Sequence, residues 1–263
     1  MFQDLKNSTF KANEVFLRAV FVLRKHYFSI AGLCFLLFVT SNLSSYLAFT
    51  TQETLDFSFR VLLCLLFLTL FFGTQLVLIK RAILLARGIE HSYLKNYIPS
   101  TRQFISFLLG FVVYSLLLGI VYFVTSILTF PLVYMGASVD TVSYEVNPFL
   151  TGMFMLFVLM RITFFPYFIV DKEFNLFRSF RMSLALTRGN VMKIFLLVLA
   201  LGTTYLLQVL SEYLSYFILA KIFSFINTFV VIPSVSIVMA MAYNDMMDEY
   251  SGEEDPKLLE NII

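Results

Sequence analysis

The sequence predicts an all-α integral membrane protein with six transmembrane helices, and two observations lead to that prediction. The first is composition: the chain has 263 residues, of which 59% are hydrophobic and 14% charged, and a mean hydropathy of +0.85. Soluble domains contain about 45–50% apolar and about 25% charged residues. The second is arrangement, because the apolar residues are gathered into six runs. Each run can cross about 30 Å of hydrocarbon as a helix that rises about 1.5 Å per residue.

The six apolar runs define the expected spans. They lie near 27–49, 58–79, 104–130, 149–170, 191–218 and 222–243. The third run continues past normal length to Pro131. We therefore expect its end to tilt, kink or leave the membrane early.

A basic amphipathic stretch precedes each pair of spans. These stretches lie near 10–26, 80–102 and 172–193. In the first, Lys11, Arg18 and Lys25 recur every seven residues along one helical stripe, which is typical of a helix lying in the membrane interface. The recurrence indicates either three degenerate copies of one helix-plus-hairpin unit or selection for positive charge on one face of the membrane.

The distribution of basic residues predicts the orientation. Sixteen of the nineteen Lys and Arg residues fall on one face of the predicted bundle, whereas Arg60 and Lys221 fall on the other and Arg161 lies within a span. The excess of bases on cytoplasmic segments places both termini in the cytoplasm. Residues 1–244 form the predicted membrane domain, and the acidic residues 245–263 are expected to form a cytoplasmic tail that packs no core.

Catalytic and metal-binding motifs are missing from the sequence. The two histidines, His26 and His91, cannot form a histidine-rich metal site, and the common hydrolase, phosphate-loop and dinucleotide signatures do not occur. Cys34 and Cys64 lie inside apolar runs and are interpreted as packing residues. We expect no enzymatic activity, no cofactor, no metal and no nucleic-acid partner.

Four polar residues inside the predicted spans form a candidate intramembrane site: Arg161, Glu212, Gln208 and Gln75. A guanidinium near mid-span costs roughly 2.5–3.5 kcal/mol on insertion scales, so it normally faces a partner or a water-filled cavity. Arg161 is therefore either a hydrogen-bonded residue that fixes the fold or part of a site for an anion, a lipid headgroup or a polar substrate. Glu212 is either a proton-coupled group or an outer-interface residue, and the glutamines are typical of contacts between helices.

The basic stretch at 174–188 predicts a second candidate surface. On a helical wheel its apolar side chains share one face and its arginines follow a neighbouring stripe. The apolar residues are Phe177, Phe180 and Leu184, and the basic residues are Arg178, Arg181 and Arg188. Either the arginines satisfy the positive-inside rule while the phenylalanines cover the ends of the spans, or the arginines form a cytoplasmic basic plate with Lys11, Arg18 and Lys25. Such a plate would bind lipid headgroups or an acidic partner, including the chain's own acidic tail.

The segment RITFFPYFIVDKEFNLFRSFRMSLALTRGNVMKIF, residues 161–195, resembles a loose group of bacterial six-span proteins. They include the membrane domain fused to some glycerophosphoryl diester phosphodiesterases. The pattern is an arginine, a proline, an acid and a Ser-x3-Thr-x-Gly ending. Here it comprises Arg161, Pro166, Asp171, Ser183, Thr187 and Gly189. The resemblance implies the fold and a bacterial inner-membrane location, and it implies no catalytic residue, because the sequence contains no phosphodiesterase domain.

The expected function is a non-catalytic scaffold or accessory subunit of the inner membrane that engages lipid headgroups or partner membrane proteins. The alternative is a small permease or insertase-like conduit for a lipid or hydrophobic segment, with Arg161 in a hydrated groove. The surroundings of Arg161 distinguish the two.

The predicted topology can be tested with single cysteines at Ser138 and Ser251 in a chain lacking Cys34 and Cys64. We expect an impermeant thiol reagent to label the two positions from opposite sides of the membrane, because an odd number of spans separates them. Labelling of both positions in intact cells would contradict the topology.

Overall fold

The computed structural model describes residues 12–50, 56–89 and 97–252, and every regular element within these ranges is helical. The helices are α1 (Ala12–Thr50), α2 (Phe57–Ala86), α3 (Thr101–Tyr134), α4 (Val139–Thr141), α5 (Asn147–Ile162), α6 (Phe165–Lys172), α7 (Leu176–Leu186), α8 (Val191–Tyr213), α9 (Phe217–Ile226) and α10 (Ile232–Gly252), and π-helical turns join α4 to α5 (Val142–Val146) and α9 to α10 (Asn227–Val231). Six segments of the described ranges are long and apolar enough to cross a membrane. Within the described residues the all-helical prediction is confirmed, and the six apolar segments are those expected of a multi-pass membrane protein.

The helices α1 and α10 meet at one end of the bundle, where Arg18 forms an ion pair with Asp245. We call this the proximal end and the opposite one the distal end. The main core lies toward the proximal end, around α10, whose residues from Ile237 to Ala242 are between 0% and 6% exposed. They pack with buried residues of α1, α2, α6, α7 and α8 in one apolar cluster.

The distal halves of the helices leave large apolar side chains uncovered. The helices pair there as hairpins, α1 with α2, α3 with α5 and α8 with α9. Between Val61 and Leu70, α2 exposes apolar side chains around its whole circumference. A helix that is hydrophobic on all sides is stable when apolar material surrounds it, and acyl chains of a bilayer supply that cover.

The first amphipathic stretch forms its own helical segment. Residues 12–26 meet the first span at a kink within α1, with non-helical backbone angles at His26. Val15 and Ala19 of this segment are buried in the core, whereas Phe16 and Val20 are 39% and 47% exposed. That this segment lies in the membrane interface stays a prediction.

Only part of the second stretch, near 80–102, falls in the described residues. Its first residues are the end of α2, where Ala82 and Ile83 are buried in the core. Residues 90–96 lie outside the described residues.

The fourth span is broken, contrary to the prediction of one helix over 149–170. The chain forms α5 and α6 with a turn at Thr163 and Phe164 between them. Pro166 explains the break, because proline has no N–H and its ring clashes with the carbonyl four residues earlier. In contrast, α3 continues through Pro131 to Tyr134, so the third span is longer than normal, as expected; that its end tilts, kinks or leaves the membrane early stays a prediction.

A π-helical turn interrupts the sixth span just before Pro233. The proline removes the i+4 donor for the carbonyl of Phe229. The hydroxyl of Tyr27 donates a hydrogen bond to that carbonyl at 2.7 Å. The backbone group freed by the proline is thus satisfied by a side chain of α1, next to the irregular point at His26.

The start of the expected tail also differs from the prediction. The helix α10 continues to Gly252, and Met246 is buried in the core. Met246 follows Ala242 and Tyr243 along one face of α10, so the acidic residues around it do not prevent packing. The rest of the tail, 253–263, lies outside the described residues.

The contact between α3 and α6 leaves no room for a side chain at Gly110, which makes the contact testable. A Cβ at this position would lie 2.5 Å from Cε2 of Phe165, whose ring stacks on Phe107 and packs on Phe180. We expect Gly110→Ala to lower the midpoint of thermal unfolding in detergent, because overpacking costs about 1–3 kcal/mol. Gly119→Ala on the same helix is the control, since its Cβ would meet nothing within 4 Å. Equal midpoints for the two variants would contradict the contact.

Candidate functional site

The break between α5 and α6 is closed by two hydroxyl groups of the following amphipathic segment. Ser183 Oγ accepts from the backbone N–H of Phe164 at 3.1 Å and donates to the carbonyl of Arg161 at 3.1 Å. Thr187 Oγ1 donates to the carbonyl of Ser183 at 2.8 Å and to the carbonyl of Arg161 at 3.1 Å, so two acceptors share its one proton. Both hydroxyl-bearing residues are fully buried. The Ser-x3-Thr pattern therefore satisfies the backbone groups that the break leaves without helical partners.

The turn after α6 directs the chain into α7. Glu173 adopts the left-handed conformation with φ of 56°, and the N–H of Phe174 donates to the carbonyl of Phe168 at 3.4 Å. This is the usual hydrogen-bonded ending of a helix. The amide of Gln103, at the start of α3, donates to the carbonyl of Val170 at 3.4 Å. The C-terminus of α6 is thus fixed to α3, and α7 begins from a defined point.

A polar cluster at the proximal end connects α2, α6 and α10. The guanidinium of Arg87, just after α2, donates to both carboxylate oxygens of Asp171, at 2.6 and 2.8 Å. The hydroxyl of Tyr243 donates to the same carboxylate at 3.1 Å. Arg87 Nε also donates to Asn244 Oδ1 at 3.2 Å. A bidentate arginine–carboxylate pair is strong and directional, so the cluster fixes three helices relative to one another.

Burial makes this pair more than a surface contact. The side chain of Asp171 is 8% exposed, and Tyr243 is fully buried against the rings of Phe164, Tyr167 and Phe168. The hydrogen bond to Asp171 raises the pKa of Arg87 above its ordinary value, against the opposing effect of burial. Arg87 is therefore a permanent cation at this position.

The amphipathic helix α7 presents two different faces. Its buried face consists of Leu176, Ser179, Met182, Ser183 and Leu186. The opposite face contains Phe177, which is 76% exposed, Arg181 and Leu184, which is 40% exposed. The guanidinium of Arg178 lies 4.1 Å from the ring centroid of Phe174, and Arg188 follows the end of the helix in an exposed position.

This arrangement corrects one of the two interpretations of the wheel, in which the phenylalanines of the face formed by Phe177, Phe180 and Leu184 cover the ends of the spans. Phe180 does pack inward, on Phe165 at 4.8 Å between centroids, but the other two point outward. The reason is that Ser183 must face the break to satisfy its backbone groups, and this requirement sets the rotation of the helix. The exposed mixture of apolar and basic residues on α7, namely Phe177, Arg178, Arg181, Leu184 and Arg188, is called the α7 surface below.

The four predicted intramembrane residues do not form one site. Arg161 lies partly buried in the last turn of α5, and its carbonyl is the group bonded by Ser183 and Thr187. Its guanidinium forms no hydrogen bond or ion pair with the described residues. Gln75 lies half-buried on α2.

Gln208 and Glu212 belong to a hydrogen-bonded chain between α8 and the sixth span. Thr204 Oγ1 donates to Asn227 Oδ1 at 2.6 Å, and Asn227 Nδ2 donates to Gln208 Oε1 at 2.8 Å. Gln208 Nε2 donates to Glu212 Oε1 at 3.0 Å. Gln208 therefore joins two helices, as predicted, while Glu212 is exposed at the far end of α8 from Arg161.

The residues of the predicted basic plate are separated in the described structure. Arg18 pairs with Asp245 of α10, and Lys25 lies exposed on α1. The helix α7 packs mainly against α3, α5 and α6 and also touches α10, whereas α1 packs mainly against α2 and α10. Lys11 lies outside the described residues.

Sequence reasoning missed the pairing of Arg87 with Asp171 and Tyr243. Asp171 was identified through the family pattern, but the distance of 84 residues to Arg87 gave no sign of a contact. A weak signal exists, because Arg87 and Asp171 each follow an apolar run that ends at the same predicted face of the membrane.

No family model, no curated protein and no solved structure matches this chain. The resemblance to the membrane domains of phosphodiesterases therefore stays a prediction.

The closed break can be tested by removing the two hydroxyls with Ser183→Ala and Thr187→Val together. We expect a lower midpoint of thermal unfolding in detergent, because an unsatisfied buried backbone group costs about 1–3 kcal/mol. Thr203→Val is the matched control, since the exposed hydroxyl of Thr203 bonds to Leu199 of its own helix. A double variant as stable as the control would contradict the role given to these hydroxyls.

Proposed function

We propose that the protein is a non-catalytic membrane module that binds the anionic lipid surface through the α7 surface. The observation that carries the proposal is the composition of that surface. Phe177 and Leu184 are exposed beside Arg178, Arg181 and Arg188. A helix with exposed aromatic and aliphatic groups among arginines is typical of a segment lying at the level of lipid headgroups.

The orientation follows from charge. With the proximal end in the cytoplasm, sixteen of the nineteen bases lie on the cytoplasmic side, as the positive-inside rule requires. The cytoplasmic leaflet of most membranes is anionic, and each base near it contributes about 1 kcal/mol. Three arginines of the α7 surface would together contribute about 3 kcal/mol, or roughly a hundredfold in affinity.

The rigid attachment of α7 supports a binding role. Hydrogen bonds from Ser183 and Thr187 fix its rotation, and the Arg87–Asp171 pair fixes the helix that precedes it. The exposed face of α7 is therefore already fixed in an outward position before it meets the membrane. Because the helix does not have to become ordered when it binds, the entropic cost of binding is lower. A bacterial inner membrane is the proposed location, and other membrane proteins of an assembly are a second class of partner.

The position of Arg161 favours this proposal over a conduit. A conduit of the predicted kind needs Arg161 in a hydrated groove within the bilayer. From Val139 to Ile162 the chain is helical over 24 residues, about 36 Å at 1.5 Å per residue. Because this exceeds the hydrocarbon thickness of about 30 Å, Arg161 reaches the headgroup level when Val139 starts at the opposite boundary.

The proposal is tested by replacing Arg178, Arg181 and Arg188 with Gln together. We expect the amount of anionic lipid retained through mild detergent purification to fall, measured by mass spectrometry against retained zwitterionic lipid. The fold should remain intact, because these side chains lie on the outer side of α7. Arg60→Gln with Lys221→Gln, two bases at the distal end, is the control.

Two results would contradict the proposal. One is unchanged retention of anionic lipid in the triple variant. The other is the loss of a co-purifying protein with lipid retention unchanged, which would assign the α7 surface to a protein partner.

A further inference from the structure

We propose that one anionic phospholipid binds where α5 ends against α7, with its phosphate between the guanidinium groups of Arg161 and Arg188. An acyl chain would lie along Phe154 and Phe157 of α5. The inference rests on the proposed function, because it takes the proximal end to lie at the headgroup level. It adds a specific site to that function. The α7 surface contacts the anionic leaflet in general, whereas this site binds one lipid molecule.

The fold brings the two arginines together through their backbones. Thr187 Oγ1 lies 3.1 Å from the carbonyl oxygen of Arg161, and Arg188 directly follows Thr187. The second hydrogen bond to that carbonyl, from Ser183, fixes the last turn of α5 against α7. The backbone positions of the two arginines are therefore set before any ligand binds.

The charge of this junction is not balanced by the described residues. Neither guanidinium, of Arg161 or Arg188, has a hydrogen-bond or ion-pair partner among them. The acids nearest in sequence are engaged elsewhere, Asp171 with Arg87 and Glu173 near the amide of Gln103. An anion bound by both guanidinium groups would balance the two charges. Phosphate suits this position, since guanidinium groups bind its oxygens in a bidentate manner.

The apolar side of the site favours a lipid over a free phosphate. Phe154, Phe157 and Arg161 recur at i, i+3 and i+7 and so share one stripe of α5. The two phenylalanines are 54% and 62% exposed. A neighbouring face of α5 packs on α3, where Thr151 bonds to Thr125 at 2.7 Å. The stripe itself is left uncovered by the described residues and ends at a cation, which is the arrangement of an acyl chain below its headgroup.

The site can be tested with a phosphatidylglycerol that carries a photoactivatable group in its acyl chain. We expect irradiation of the full-length protein in nanodiscs to cross-link the peptide that contains Phe154 and Phe157. Arg161→Gln should reduce this cross-link about tenfold, as expected for the loss of a charge-assisted hydrogen bond. Arg188→Glu should do the same without disturbing the fold, because that side chain is exposed. Lys221→Gln at the distal end is the control.

The variants separate this inference from the proposed function. Arg178→Gln with Arg181→Gln should lower total retention of anionic lipid and leave the α5 cross-link in place. If the α5 cross-link is missing, or if it survives Arg161→Gln and Arg188→Glu, the single-lipid site is wrong whatever the α7 variants show. Displacement of the cross-link by inorganic phosphate at millimolar concentration would overturn the lipid assignment in favour of a free anion. Equal cross-linking by a phosphatidylcholine probe would overturn the requirement for an anionic headgroup.

Discussion

The proximal half of this protein depends on how a broken helix satisfies its backbone inside an apolar environment. Pro166 interrupts the fourth span, and the interruption leaves carbonyl and N–H groups without helical partners in the buried core around Phe164, where no water reaches them. The hydroxyl of Ser183 accepts from the N–H of Phe164, and the hydroxyls of Ser183 and Thr187 both donate to the carbonyl of Arg161. Pro233 creates a similar need in the sixth span, and the hydroxyl of Tyr27 meets it. In both places a proline breaks a span and a hydroxyl from a neighbouring helix stabilises the break.

The consequences of the first break extend to the rest of the proximal end. Because the chain turns at Phe164, the short helix α6 enters the centre of the bundle, where its residues from Tyr167 to Val170 are buried. Its last turn delivers Asp171 to Arg87 and Tyr243. The same two hydroxyls determine which face of α7 is turned inward. The outward position of the α7 surface thus follows from the need to satisfy two backbone groups.

Sequence patterns predicted the features that depend on composition, such as the number of apolar spans. They failed for features that depend on a specific contact between side chains, such as the rotation of a helix. Hydropathy located six membrane-spanning segments, because lipid exposure demands apolar residues on most faces. The interpretation of the helical wheel that turned Phe177 inward is wrong, since Ser183 is buried for its hydroxyl and not for its hydropathy. The acidic tail was expected to start at 245, but Met246 packs inside. No local pattern announces that Arg87 meets Asp171, because such pairs depend on how distant helices are arranged.

The hydrogen bond from the N–H of Phe164 to Ser183 Oγ holds the break closed, and amide hydrogen exchange measures this contact directly. In nanodiscs of anionic lipid, the amide of Phe164 should exchange slowly in the unmodified protein and much faster in Ser183→Ala. The amides of α8 should keep their rates in both proteins, as a check that the bundle remains folded. Rapid exchange at Phe164 in the unmodified protein, or the same slow rate in both proteins, would contradict the account.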